Sequence, residues 1–284
     1  MTGRDIHHNH RRQSPPTARP GFITLPERTS KPRRTGISHV LDNGISLAET
    51  AQRLAAASDF IDVWKFGWGT AYIDPSLDAK LDLLAEHDVL ACPGGTLLEI
   101  AWRQGVASHF LDWSEASGFP AIEISCGSVA MTRDVKDTLI ETAVKRFTVL
   151  TEVGLKDPTA PVSAAQWARD AAADLGAGAH WVVTEGRDSG TVGLFTIEGD
   201  VRRTVVDAVV ASVGVDVVLF EAPQRAQQAW LIRHFGPNVN LGNIGVGDAL
   251  SVETLRLGLR SDTMDAPFVT GSQEPPSPTQ GAPS

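Results

Sequence analysis

The chain alternates short apolar runs, rich in β-branched residues, with longer amphipathic stretches, and this alternation restricts the possible folds most strongly. Eight runs of strand length occur, and their first residues lie 23 to 36 residues apart. That spacing leaves room for a strand, a loop, a helix and a return to the next strand. The runs cover residues 37–41, 60–66, 89–92, 121–125, 148–153, 180–185, 216–221 and 239–243, and the amphipathic stretches include residues 47–57, 77–86, 96–107, 134–145, 164–175 and 224–235.

This repeat predicts a single-domain (β/α)8 TIM barrel over residues 35–268. Eight strand–helix units over about 230 residues match the usual size of such a barrel. A doubly wound open sheet is the alternative architecture, but it usually has fewer strands and a glycine-rich turn after the first one. Here the first turn reads Asp42-Asn43-Gly44, which is not a dinucleotide fingerprint. The barrel is therefore the favoured fold.

Both ends of the chain differ in composition from the predicted barrel. Residues 1–34 contain eight Lys or Arg, two acids and five prolines. They hold too little apolar surface to offset the entropy of ordering, so we predict a disordered basic tail rich in Pro and His. Its histidines are a weaker candidate for metal binding because no fold fixes them. Residues 269–284 are rich in Pro and Ser and predict a second disordered tail.

Composition also limits the possible functions. No stretch approaches the roughly 18 apolar residues of a membrane span, and the polar start lacks a signal-peptide core, so we expect a cytoplasmic protein. The two cysteines are too few for a disulfide scaffold or a Cys-rich zinc module. A net charge of −9 argues against nucleic-acid binding. We expect small-molecule substrates and a homo-oligomer.

Four of the eight predicted strands end in a glutamate within apolar sequence. The carboxyl ends of the strands form the catalytic face of a (β/α)8 barrel. A carboxylate there costs several kcal/mol to desolvate, by order of magnitude, unless it is paired or bound to metal. Ion pairs at the rim are one explanation; Mg²⁺ or Mn²⁺ held by carboxylate oxygens is the other. The candidate metal ligands are Glu123, Glu152, Glu185 and Glu221.

Cations and glycine-rich loops accompany these glutamates. Lys65, Lys156 and Arg187 are candidate catalytic or anion-binding residues. Glycine-rich loops expose backbone N–H groups that suit phosphate or another small anion, although each loop alone is equally an ordinary tight turn. Together these features predict a site for an anionic substrate held through metal. The candidate substrate-binding residues are Gly94, Gly95, Ser125, Ser189, Gly190 and Asn243.

Seven segments follow one another along nearly the whole predicted domain: IDVWKFGWGTAYID (61–74), PGGTLLEIA (93–101), GFPAIEISCGS (118–128), VLTEVGLK (149–156), GAHWVVTEGRDSG (178–190), FEAPQRAQQ (220–228) and VNLGNIGVGDALSVETLRLGLRSDT (239–263). Taken together and in this order, they resemble the phosphosulfolactate synthase family of one coenzyme M route.

The resemblance implies a Mg²⁺-dependent lyase in a (β/α)8 barrel that adds sulfite to C3 of phosphoenolpyruvate, giving 2-phospho-3-sulfolactate. Lys156 matches the family's lysine after TEVG and is the implied general acid, with a lowered pKa among cations and apolar walls. A rim ion pair with Glu152 or Glu185 is its alternative role. Arg187 and Lys65 are implied to bind anions, and the four glutamates are implied to ligate metal or to orient the lysines.

Two positions depart from the family pattern. Cys126 stands where the family usually reads ISDGS, and Leu155 stands where it commonly reads TEVGKK. The two changes either compensate each other's charge or reshape the pocket of the nucleophile. Two alternatives therefore stay open: a phosphoenolpyruvate-using enzyme with another nucleophile, and a non-catalytic, stress-protective relative. We expect Cys126 to be an inert small side chain rather than a nucleophile, and both cysteines, Cys92 included, to be reduced.

Overall fold

The computed structural model describes residues 21–157 and 159–268, which contain eight strands and ten α-helices. The strands are β1 (Ser38–Asp42), β2 (Val63–Phe66), β3 (Leu90–Pro93), β4 (Ala121–Ile124), β5 (Thr148–Val153), β6 (Trp181–Thr184), β7 (Val218–Glu221) and β8 (Asn240–Gly245). The helices are α1 (Leu47–Ala57), α2 (Thr70–Ile73), α3 (Leu77–Glu86), α4 (Gly95–Arg103), α5 (Ala107–Ala116), α6 (Arg133–Ala143), α7 (Ala164–Gly176), α8 (Arg203–Val213), α9 (Arg225–Phe235) and α10 (Ala249–Arg256), with short 3₁₀ helices at Ser58–Phe60 and Val215–Val217.

All eight predicted strands are present, and the prediction of a (β/α)8 barrel is confirmed. The paired strands are parallel and run in the order β3-β2-β1-β8-β7-β6-β5-β4. The two strands at the ends of this order, β3 and β4, lie side by side, so the sheet is nearly closed. The open doubly wound sheet is therefore wrong for this chain.

The amphipathic stretch predicted at residues 96–107 covers α4 and the turn that follows it, and α5 lies beyond the predicted stretch apart from its first residue. Helix α4 ends at Arg103, and α5 begins at Ala107. Between them Gly105 has a φ of +74°, a left-handed conformation that glycine adopts without a steric penalty. The apolar spacing continues across this turn, because both helices pack an apolar face on the barrel.

The strand period of two places the polar residues at one end of the barrel. A buried apolar layer fills the interior; it consists of Ile37, Val63, Cys92, Ala121, Leu150, Val183 and Leu219. In a strand, residues two apart share a face, so the residue two places further along points into the barrel at a higher level. Lys65 follows Val63 in this way, and each of the four glutamates likewise follows an apolar member of this layer. The parallel direction of the strands then brings all five to the carboxyl end, which we call the mouth.

The opposite end, which we call the bottom, is closed by arginines. Arg28 pairs with Glu253 at 3.1 Å, and Arg33 pairs with Asp62 at 3.0 Å. Both residues belong to the segment predicted as tail, so the barrel's contacts begin before the predicted boundary at residue 35. The reason is that these charges meet buried carboxylates of the barrel. The rest of the predicted tails, residues 1–20 and 269–284, lies outside the described residues.

The helices of the described residues are all too short or too polar for a bilayer crossing.

Candidate functional site

A small cavity of ≈ 60 Å³ opens at the mouth and brings most of the candidate residues together. Five acidic and three basic side chains line it, so an acidic excess surrounds the space. The three predicted cations and the four predicted glutamates are all among the lining residues. The lining consists of Leu41, Lys65, Trp68, Gly94, Gly95, Thr96, Glu123, Glu152, Lys156, Glu185, Arg187, Asp188, Glu221 and Asn243.

Lys65 lies between two glutamates from opposite sides of the barrel. Its Nζ is 2.9 Å from Glu123 Oε2 and 3.0 Å from Glu221 Oε1. Burial opposes the charge of this ammonium, but the carboxylates of Glu123, Glu221 and Glu152 outweigh it and raise the pKa of Lys65 well above its usual value. Lys65 is therefore charged at neutral pH and bridges strands β2, β4 and β7.

Backbone N–H groups hold the other oxygens of the same two glutamates. Gly95 N, at the start of α4, donates to Glu123 Oε1 at 2.8 Å. Gly186 N and Arg187 N donate to Glu221 Oε2 at 2.9 and 3.0 Å. Both carboxylates are thus fixed by a cation on one oxygen and by backbone donors on the other. A side chain at Gly95 would collide with Ser125 Oγ, so the close approach of α4 to β4 requires glycine there.

Lys156 is the second cation of the site and lies between two further carboxylates. Its Nζ is 3.2 Å from Glu152 Oε1 and 3.2 Å from Glu99 Oε1. Burial lowers the pKa of this lysine, but the negative charges of Glu152, Glu185 and Glu99 raise it to a value above its usual range. The expected lowered pKa of Lys156 is therefore wrong for this arrangement, because carboxylates rather than cations surround the ammonium. The rim ion pair with Glu152 is present.

Glu152 and Glu185 form a pair of carboxyls with opposite pKa shifts. Burial raises the pKa of Glu152, but Lys156, Lys65 and a hydrogen bond with Glu185 outweigh it and lower that pKa to about 2. The pKa of Glu185 is raised well above its usual value by burial and by the charges of Glu152 and Glu221. The charges around Glu152 thus favour its ionised form, whereas burial and the neighbouring carboxylates disfavour the ionised form of Glu185.

Three of the four glutamates lie close enough together to hold a metal ion. One oxygen each of Glu123, Glu152 and Glu221 lies within 4.8 Å of the others, and this is the one such group of carboxylate, His or Cys ligands among the described residues. Glu185 falls outside it. Hard oxygen donors of this kind suit Mg²⁺ or Mn²⁺. The acidic excess around the cavity also fits a bound divalent cation, so the residues present are compatible with the expected metal.

The backbone at the mouth is strained at three residues. Trp68, Arg187 and Asn243 have φ values of 54°, 56° and 51°, and they are three of the four non-glycine residues with left-handed φ in the described chain. Each costs about 1–3 kcal/mol and persists only where the surroundings enforce it, which is typical of functional sites. Asn243 lines the cavity, and its side-chain Oδ1 is buried without a hydrogen-bond partner among the described residues.

Three predicted substrate-binding residues do not line the cavity. Ser125 lies behind Lys156 and donates to Glu99 Oε1 at 2.7 Å. Ser189 is exposed, and its hydroxyl is 2.8 Å from that of Thr191. Gly190 is buried, and its carbonyl accepts from Gln227 Nε2. Gly94, Gly95 and Asn243 do line the cavity, and their contact with substrate stays a prediction.

Two buried polar residues at the site escaped prediction. Glu99 is 2% exposed on α4, and His39 is 0% exposed on β1 beneath Lys65. Asn243 N donates to His39 Nδ1 at 3.4 Å, and His39 Nε2 has no partner among the described residues. Glu99 was detectable in principle, since it shares the buried face of α4 with Gly95 and Leu98. The sequence did not mark His39 as a site residue, because its position beneath Lys65 follows only from the closed barrel.

The two residues that depart from the family pattern lie beside a second, larger cavity. This cavity measures ≈ 660 Å³, and Cys126, Leu155 and Lys136 are among its lining residues. Glu152 lines both cavities, whereas Cys126 and Leu155 line the second one and not the mouth. Burial raises the pKa of the Cys126 thiol, which favours an inert side chain over a nucleophile. Both cysteines are free thiols, as expected.

The sequence matches the family model of (2R)-phospho-3-sulfolactate synthase (ComA) over residues 26–262. The chain is 43% identical over 244 residues to the phosphosulfolactate synthase of Bacillus subtilis, covering 85% of this chain and 97% of that relative. It is 39% identical over 249 residues to the same-named protein of Methanothermobacter thermautotrophicus (86% and 96% covered). It is 40% identical over 234 residues to that of Methanocaldococcus jannaschii (80% and 93% covered).

Solved structures of low sequence identity share the architecture. The 3-keto-L-gulonate-6-phosphate decarboxylase of Vibrio cholerae superposes with a TM-score of 0.50 at 11% identity, covering 82% of this chain and 99% of that one. The thiamine phosphate pyrophosphorylase of Pyrococcus furiosus gives 0.50 at 13% identity, with 78% and 95% covered. At these identities the likeness concerns the fold alone.

Proposed function

The chain belongs to the (2R)-phospho-3-sulfolactate synthase family and is an enzyme, and from this premise we propose that it adds sulfite to C3 of phosphoenolpyruvate to give 2-phospho-3-sulfolactate. The observation that carries the proposal is the meeting of Lys65, Lys156 and Arg187 with three close carboxylates around one cavity. An anionic substrate needs the cations, and a divalent cation needs the carboxylates.

The proposed reaction moves one electron pair and one proton. The sulfur lone pair of sulfite forms a bond to C3, and the C2–C3 π electrons move to C2 and delocalise into the neighbouring carboxylate. Lys156, which is protonated at neutral pH, then delivers its Nζ proton to C2 and becomes a neutral amine. Delivery from one wall of the cavity fixes the configuration at C2.

Electrostatic stabilisation of the enolate is the main demand on the site, because the intermediate carries two negative charges near C1 and C2 in addition to the phosphate. Glu123, Glu152 and Glu221 are the residues that would hold Mg²⁺, and the ion would supply positive charge next to the enolate oxygens. Lys65 stays charged between Glu123 and Glu221 and adds a fixed cation on the same side.

In this proposal Arg187 binds the phosphate or the sulfite. Its guanidinium is exposed at the rim, and its Nη1 donates to the Lys156 carbonyl at 3.2 Å. The cavity of ≈ 60 Å³ is far below the roughly 300–1,000 Å³ of typical ligand pockets. Substrate entry therefore requires side chains at the rim to move, and the exposed Arg187 and the half-exposed Trp68 are the residues best placed to do so.

The competing hypothesis is that the enzyme adds a nucleophile other than sulfite to phosphoenolpyruvate, but the lining of the mouth cavity does not favour it. Cys126 and Leu155, the residues that motivated it, line the neighbouring cavity. A non-catalytic role is disfavoured as well, because the strained backbone and the charged cluster at the mouth would then have no function to explain their cost. The cytoplasmic location and the homo-oligomeric state stay predictions.

The test is to incubate the protein with phosphoenolpyruvate, sulfite and MgCl₂ and to follow the vinyl protons of the substrate by NMR. We expect these signals to disappear as a sulfonated product forms, and to persist without sulfite or with excess EDTA. Turnover with another nucleophile but not with sulfite would support the competing hypothesis. No turnover with any nucleophile, in a folded protein, would support the non-catalytic one.

A further inference from the structure

Glu99 is a buried carboxylate with no place in the chemistry described so far. It is 2% exposed and does not line the mouth cavity. Its Oε1 accepts hydrogen bonds from Ser125 Oγ at 2.7 Å, from Ser128 N at 3.4 Å and from Lys156 Nζ at 3.2 Å. A buried charge of this kind is costly unless its partners require it. The contacts therefore point to a role that acts through Lys156.

The ammonium of Lys156 has three hydrogens, and three protein oxygens surround it. These are Glu99 Oε1 at 3.2 Å, Ser125 Oγ at 3.4 Å and Glu152 Oε1 at 3.2 Å. Two of the three, Glu99 and Ser125, lie behind the lysine, outside the cavity lining, whereas Glu152 lines the cavity. Glu152 is also one of the three glutamates grouped for a metal. Lys156 and a bound cation would therefore compete for the same carboxylate.

We propose that Glu99 is a positioning residue that, together with Ser125, holds the Lys156 ammonium against the wall of the mouth so that Glu152 is left to the cation and one N–H of Lys156 points at the substrate. This inference rests on the proposed function, in which Lys156 is the proton donor. Without the charge of Glu99, Lys156 has Glu152 as its one remaining ion-pair partner in these contacts. The lysine would then turn toward Glu152 and compete with the cation for it.

The test compares Glu99→Gln, which keeps the shape but removes the charge, with the wild-type protein in two measurements. The first is the Kd of Mn²⁺, measured by electron paramagnetic resonance without substrates. The second is kcat and KM in the NMR assay with phosphoenolpyruvate and sulfite. We expect the Kd of Mn²⁺ to rise and kcat to fall, each by about 10-fold, which is the lower end for lost outer-shell partners. KM for phosphoenolpyruvate should stay within about twofold, because Glu99 lies outside the cavity.

Two further variants complete the design. Ser125→Ala removes the second rear contact and should change both quantities in the same direction by about threefold, since it removes one neutral hydrogen bond. Glu115→Gln, which removes an exposed ion pair with Arg146 at 2.7 Å, is the matched control and should change neither. If circular dichroism shows that Glu99→Gln does not fold, the Kd of Mn²⁺ and the kcat of Ser125→Ala test the inference instead.

The outcomes separate the inference from the proposed function. Unchanged kcat and Mn²⁺ affinity in Glu99→Gln overturn the inference, as does a change confined to KM. A wild-type protein that binds Mn²⁺ but turns nothing over refutes the proposed function, and the Mn²⁺ measurement alone then decides the role of Glu99. A wild-type protein that neither binds Mn²⁺ nor turns over overturns both.

Discussion

The two ends of the barrel use buried charge in opposite ways. At the bottom, the fully buried Arg256 donates through Nη1 and Nη2 to the carbonyls of Pro237, Val239 and Ile37 at 2.8, 2.6 and 3.0 Å, although its Nε has no partner among the described residues, and the nearby arginines pair with single carboxylates. At the mouth, acidic side chains outnumber basic ones, and the buried oxygens Glu99 Oε2, Glu185 Oε2 and Asn243 Oδ1 have no hydrogen-bond donor among the described residues.

We interpret this difference as one between charges that close the fold and charges that, in the proposed function, meet a ligand. A buried polar group satisfied by the protein stabilises or is neutral, whereas an unsatisfied one costs about 1–3 kcal/mol. The mouth retains several such costs within one small volume, together with three strained backbone positions. We conclude that the bottom is organised for stability and the mouth for binding, and the following predictions test this distinction.

The largest effect is expected at the mouth. Lys156→Ala should lower kcat by about 100- to 10,000-fold, because it removes the proposed proton donor. The melting temperature should change by no more than about 4 °C, which corresponds to about 1 kcal/mol for a domain of this size. The NMR assay measures kcat and differential scanning calorimetry measures the melting temperature, with the exposed Lys145→Ala as control. A variant that retains more than about a tenth of the wild-type rate contradicts the assignment.

At the bottom the pattern should reverse. Arg256→Met leaves three buried carbonyls without their charged donor and should lower the free energy of unfolding by about 3–5 kcal/mol. The kcat of the folded protein should stay within about twofold, since the mouth is unchanged. Arg260→Met is the control, because Arg260 forms a half-exposed pair with Asp262 at 3.5 Å and should cost about 1 kcal/mol or less. Denaturant titration measures the free energy of unfolding of both variants. Equal losses in Arg256→Met and Arg260→Met would contradict the proposed contrast between the two ends.

The distinction can be sharpened within the mouth itself. Glu221→Gln removes one of the three grouped oxygens and should weaken Mn²⁺ binding by about 10- to 100-fold. Glu185→Gln changes a carboxyl that lies outside this group, so its effect on Mn²⁺ binding should be about threefold or less. Both values come from Mn²⁺ titrations of the purified variants. If Glu185→Gln weakened Mn²⁺ binding as much as Glu221→Gln does, Glu185 would be a ligand of the metal.

The smallest effect concerns His39, whose burial and proximity to Lys65 lower its pKa well below 6.5. The unfolded chain takes up a proton near pH 6.5 that the folded barrel does not, so stability falls as the pH drops below about 6.5, by up to about 1.4 kcal/mol per pH unit from this residue. His39→Asn should remove that share of the slope between pH 6.5 and 5. Denaturation midpoints at several pH values, with the exposed His109→Asn as control, measure it; an unchanged slope in His39→Asn would refute the prediction.

Much of the site was accessible from the sequence because strand alternation is a local property. Lys65, Glu123 and Glu152 each stand two residues after a buried apolar residue, and parallel strands send such positions to one end of a barrel. The resemblance of the segments around them then indicated the family. The pKa of Lys156 was not accessible, because its sign depends on which charges lie nearby, and Glu99 reaches it from 57 residues away.

The sequence by itself determined the eight strands, the end of the barrel at which the charges collect and the family of the enzyme, because period and motif are properties of short segments. Only the tertiary structure decided that Lys65 bridges Glu123 and Glu221, that Glu185 lies outside the group of three close glutamates, that Ser189 and Gly190 lie away from the cavity and that Arg28 and Arg33 close the bottom. The physical reason is that ion pairs and pKa values arise from distances of a few ångströms between residues far apart in the chain, and barrel closure sets those distances.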